Sequence, residues 1–136
     1  MKQKYNNVML IDDSDLDTFV NKRTLECSQF AKNIYVHSSA ISALEFIANL
    51  ITLGEGHQAI YPEMIFIDIN MPLMNGFEFI EELFKKYEKL LIKPILVILT
   101  SSVFYEDRAR AKALSKNIRF LNKPLTLVQL ESIENG

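Results

Sequence analysis

The feature that most restricts the fold is a strict alternation of short apolar runs with longer stretches of helical spacing. Residues 7–11, 33–37, 64–67, 95–99 and 118–121 are rich in Val, Ile, Leu and Phe, the make-up of mostly buried strands. Between them, 15–28, 39–53, 77–91, 105–115 and 126–133 have helical periodicity: the first carries Leu16, Phe19, Val20 and Leu25 as its apolar positions, the second is opened by Ser38 and Ser39, and Thr126 caps the last. Strand and helix in strict alternation imply a parallel sheet with right-handed crossovers and helices on both faces. The expected architecture is α/β, a doubly wound (βα)5 flavodoxin-like sandwich with a five-stranded sheet of order 2-1-3-4-5. Its ligand crevice lies at the carboxyl ends of the strands, where strands 1 and 3 diverge.

At 136 residues the expectation is one domain spanning 1–136, with no output domain. A net charge of −2 argues against a nucleic-acid partner. No segment has the roughly 20 apolar residues of a membrane span, and no signal-peptide core is present, so a cytoplasmic location is expected. Cys27 is the one cysteine, which excludes an intrachain disulfide; it reads as a small buried hydrophobe. The stretch 53–63, "LGEGHQAIYPE", is longer than a usual connection and reads as a solvated excursion. His37 and His57 stand apart from any partner residue, so neither reads as a metal ligand or a phosphorylated base.

The chemistry gathers at the strand ends. The first run ends in Asp12-Asp13, the third in Asp68, the fourth in Thr100-Ser101-Ser102, the fifth in Asn122-Lys123-Pro124. In the expected topology all share one rim. Three carboxylates there repel one another unless a cation lies between them. Oxygen ligands without His or Cys suit Mg²⁺, or Mn²⁺ in its place, and Lys123 adds a second positive group. Such a site is built for phosphoryl chemistry, with Thr100 as a hydroxyl donor and Asp68, alone on the central strand, as the nucleophile.

These segments resemble the receiver domain of two-component response regulators, in its single-domain, chemotaxis-regulator-like form. "MLIDDSD" is similar to the acidic pair, "FIDINMPLMNG" to the phosphoacceptor segment, "ILTSS" to the switch-threonine segment, and "FLNKP" to the Lys-Pro ending of strand 5. The resemblance implies that Asp68 accepts a phosphoryl group from a histidine kinase or histidine phosphotransfer protein. Asp13 and Asp68 would bind Mg²⁺ directly and Asp12 through water, with the Asn70 backbone carbonyl as a further ligand. Thr100 and Lys123 would bond the phosphoryl group, and the Lys123–Pro124 peptide would be cis. Phe120 would be the second switch residue, and Asn70, Ser101 and Ser102 would govern access to the phosphoryl group. The signal would leave through the face of helix 4, strand 5 and helix 5 to an unnamed downstream protein. Two alternatives stand beside this reading. One is a Mg²⁺-dependent phosphohydrolase with an aspartyl nucleophile, which would want a general acid where Asn70 stands; the other is a pseudo-receiver that only binds proteins.

Overall fold

A computed structural model describes residues 3–135. The strands are β1 (Tyr5–Ile11), β2 (Ala31–His37), β3 (Met64–Ile67), β4 (Ile95–Thr100) and β5 (Arg119–Asn122). The helices are α1 (Asp15–Cys27), α2 (Ala40–Leu53), α3 (Gly76–Lys85), α4 (Tyr105–Leu114) and α5 (Leu127–Asn135). All strand pairs are parallel, and the order is β2-β1-β3-β4-β5. This is the expected doubly wound sandwich. No helix among the described residues is long and apolar enough to cross a membrane.

Successive side chains of a strand point to opposite faces, and here both faces are covered. Met9, Ile11, Ile65, Ile67, Leu96 and Ile98 pack with α2 and α3 residues such as Ile47, Phe79 and Leu83. Val8, Leu10, Met64, Phe66, Val97 and Leu99 pack on the other face with Leu25, Leu130 and Ile133. Every residue of β3 is buried, which is why that run carries no polar residue until it ends. Register then aligns the strand ends: Ile11 lies opposite Ile67, Ile67 opposite Ile98, and Thr100 opposite Asn122.

Helix ends follow local chemistry. Ser14, Ser39 and Asn75 cap α1, α2 and α3, and Asn75 forms a capping box with Glu78. Thr126 and Gln129 exchange side-chain bonds at the start of α5. The periodicity over 77–91 covers two elements, since α3 ends at Lys85 and a 3₁₀ turn follows over Tyr87–Lys89. The stretch before β3 is only half a solvated excursion. Tyr61 and Pro62 are buried, and the Asn7 amide donates to the carbonyls of Ala59 and Tyr61 at 2.7 and 3.0 Å.

One expectation about helix faces is overturned. Leu16 and Phe19 are 72% and 66% exposed, and Val20 is exposed too. In α1 only Asn21 and Leu25 are buried. The helix instead turns Asp17, Asn21 and Thr24 toward the segment after β5: Lys123 donates to Asp17, the Leu125 N–H donates to Asn21 Oδ1 at 3.0 Å, and the Thr24 hydroxyl donates to the Leu125 carbonyl at 3.2 Å. Spacings of four and three put these on one side. Polar satisfaction by the neighbouring loop outweighs the apolar stripe. Cys27, expected to be buried, is exposed at the end of α1. Consequently Phe19→Ala is expected to change stability by less than about 0.5 kcal/mol, whereas Leu25→Ala should cost roughly 2–5 kcal/mol, both measured by urea unfolding.

Candidate functional site

Asp12 and Asp68 each follow the last residue of a strand, and the pairing of Ile11 with Ile67 sets them side by side. Both are anchored: the Asp12 N–H donates to the His37 carbonyl and the Asp68 N–H to the Ile11 carbonyl, each at 3.1 Å. One oxygen of each carboxylate takes a backbone N–H, from Ser14 to Asp12 at 2.9 Å and from Asn70 to Asp68 at 3.3 Å. The other oxygen of each faces Lys123. Its Nζ lies 2.7 Å from Asp12, 3.3 Å from Asp68 and 2.9 Å from Asp17. Asp17 was not among the residues that sequence reasoning placed at the site.

Asp13 lies exposed beside this pair. One oxygen from each of Asp12, Asp13 and Asp68 falls within 4.8 Å of the others, a spread and donor type that fit a small, hard divalent cation. Burial pushes the Asp12 carboxyl above the usual aspartate range, against the pull of Lys123 and the Ser14 N–H. The Lys123 ammonium is held well above its ordinary value because its bonds to Asp12, Asp17 and Asp68 outweigh the opposing effect of burial. Lysine here is a fixed positive charge.

Thr100 is fully buried, and its hydroxyl oxygen accepts the Ser102 N–H at 3.2 Å. The Lys123 N–H donates to the Thr100 carbonyl at 2.9 Å, and the Lys123–Pro124 peptide is cis. Ser101 is exposed. Ser102 is buried, and its hydroxyl donates to Asp107 in the first turn of α4, which ties the loop to the helix. Phe120 is half-buried, with the Arg108 guanidinium 4.6 Å over its ring. Arg108 also donates to Asn122 Oδ1 at 3.3 Å, while the Asn122 amide donates to the Ser102 carbonyl at 2.7 Å. Asn122 therefore joins the Thr100 loop to the strand that carries Phe120.

Asn70 is exposed at the mouth. The chain after it turns sharply: Leu73 has φ +69° and is 91% exposed, and the Met74 N–H donates to the Pro72 carbonyl at 2.8 Å. It returns so close to the strand end that a Cβ on Gly76 would lie 2.5 Å from the Asp68 carbonyl oxygen and 2.9 Å from Ile69 Cα. Only glycine permits this contact.

The model of the response regulator receiver domain matches residues 8–133, and the chain belongs to that family. It is 31% identical to a two-component response regulator from Cytophaga hutchinsonii, whose crystal structure it matches with a TM-score of 0.82 over 99% of this chain and 96% of that one. It is 27% identical to a probable methanogenesis regulatory protein, FilR2, of Methanothrix harundinacea, over 91% of this chain and 76% of that protein. The receiver domain of the histidine kinase CKI1 from Arabidopsis thaliana, crystallised with Mg²⁺ and BeF₃⁻, shares the fold at 18% identity and a TM-score of 0.75, over 96% of this chain and 91% of that one. Receiver domains are phosphoacceptor switches of two-component phosphorelays that interact with histidine kinases or phosphotransfer proteins.

Alanine is normally the better helix residue by about 1 kcal/mol, so Gly76 gives a test with an unusual sign. Gly76→Ala is expected to destabilise the fold by roughly 1–3 kcal/mol, checked by urea unfolding.

Proposed function

We propose that Asp68 is the phosphoacceptor of this receiver and that Asp12, Asp13 and Asp68, with the Asn70 backbone carbonyl, hold the Mg²⁺ or Mn²⁺ on which transfer depends. The observation that carries this is the convergence of Asp12, Asp13 and Asp68 within 4.8 Å with the Lys123 ammonium against Asp12 and Asp68. When bound, the cation offsets charge on the phosphoryl oxygens. The protein's own groups do the rest. An Asp68 oxygen attacks phosphorus as the bond to the donor's imidazole nitrogen breaks, and that nitrogen keeps the electron pair. Lys123 offsets the negative charge left on Asp68, and the Thr100 hydroxyl turns from Ser102 to donate to a phosphoryl oxygen. A phosphohydrolase reading lacks support, because the position two residues after Asp68 is Asn70, which cannot serve as general acid.

The donor is a histidine kinase or phosphotransfer protein acting in the cytoplasm. Exposed apolar side chains near the site give it a surface: Leu16 and Phe19 on α1, Leu73 after β3, Phe104 before α4 and Leu127 on α5. The response passes through Thr100 and Phe120 to the face of α4, β5 and α5, where a groove of about 260 Å³ is lined by Arg108, Lys112, Phe120 and Ser132. A downstream protein binds there according to the state of Phe120.

Incubation with acetyl phosphate and Mg²⁺ should add one phosphoryl group by intact mass, and Asp68→Asn should abolish the addition. Retained labelling in that variant would move the acceptor elsewhere. Arg108 over Phe120 holds the ring in place by about 0.5–1 kcal/mol. In unphosphorylated Arg108→Ala, NMR shifts of Thr100 and Phe120 should therefore move part of the way toward those of the phosphorylated protein.

A further inference from the structure

Three carboxylates meet the Lys123 ammonium, and the phosphoryl chemistry above calls for only two of them. Asp17 lies 2.9 Å from Nζ, yet it is not in the group of acids whose oxygens converge within 4.8 Å. It therefore competes with the cation ligands for the lysine and not for the cation.

We propose that Asp17 is a positioning residue that draws the Lys123 ammonium toward α1, so that Asp12 and Asp68 can turn to a divalent cation while the lysine stays beside the site. The inference rests on reading Asp12, Asp13 and Asp68 as the cation site. Asp12 and Asp68 each have one oxygen on a backbone N–H and the other on Lys123. A cation that binds them must share or displace the lysine contacts. A carboxylate outside the cluster gives the ammonium a partner it can keep throughout.

The placement of Asp17 is built into the fold. Its N–H donates to the Ser14 cap at 3.2 Å, which fixes it in the first turn of α1. One and two turns on, Asn21 and Thr24 bind the N–H and carbonyl of Leu125. These bonds register α1 against the segment that begins with Lys123. An ordinary surface ion pair contributes little, but here the lysine side chain is only 9% exposed, and Asp17, at 42%, is the most solvent-exposed of its three partners.

Loss of Asp17 removes a nearby negative charge and leaves the ammonium with Asp12 and Asp68 as its only carboxylate partners among the described residues. Both changes weaken cation binding. Asp17→Asn should lower Mg²⁺ affinity by roughly three- to tenfold, a screened Coulomb effect, measured by calorimetric titration of the full chain. Asp15→Asn makes the same charge change in the same helical turn and should lower affinity less than about twofold. Asp17→Glu should recover part of the affinity. In the metal-free protein, the ¹⁵N signal of the Lys123 ammonium should shift in Asp17→Asn and stay in place in Asp15→Asn, with circular dichroism confirming that both are folded. Equal affinity in Asp17→Asn and the parent protein would overturn the proposal, as would an equal loss in Asp15→Asn. If the parent protein binds no Mg²⁺ at millimolar concentration, the cation-site reading itself falls, and this proposal with it.

Discussion

Carboxylates at the end of a sheet covered on both faces carry a desolvation cost that must be offset where they stand. The Lys123 ammonium offsets part of it here, within 3.3 Å of Asp12, Asp17 and Asp68. Other local features follow from bringing that lysine to that point. The β5 segment must end at the rim, the following loop must be held against α1, and the Thr100 carbonyl must take the Lys123 N–H. Three acids on one ammonium, with Asp13 beside them, still leave net negative charge. That residual charge makes the same cluster suited to a divalent cation, so the constraint on folding and the basis of function are one electrostatic problem.

Parallel register converts this into geometry. Because Ile11, Ile67 and Ile98 lie opposite one another, residues far apart in the chain arrive at one crevice without any long excursion. Gly76 then lets α3 start against the Asp68 backbone. Asp68 is thus fixed from below by β3 and from the side by the helix after it. The loop after β4 is held by side-chain bonds through Ser102, Asp107 and Asn122.

Much of this was legible in the residues alone, for a reason that α1 makes clear by contrast. Buried strands such as Met64–Ile67 admit only apolar side chains, so their ends are marked by the first charge, and the order of the rim groups can be read directly. Helix α1 carries no such mark. Leu16, Phe19 and Val20 have the spacing of a core face, but a period does not say which side turns inward. The decision came from Asn21 and Thr24 binding the backbone of Leu125, roughly a hundred positions away. Asp17 was missed with them. A polar stripe at 17, 21 and 24 was its only signal, and the bond from Ser102 to Asp107 had none, because it forms only once α4 is in position.

By itself the sequence determined the element order, the parallel sheet and the list of chemically capable groups at its rim, because burial on both faces leaves a strong and local composition signal. Tertiary structure decided which carboxylates the lysine touches, which face of α1 meets solvent, and how closely the backbone approaches at Gly76. Those outcomes depend on satisfying polar groups between distant segments. No local pattern records which partner a polar group will find.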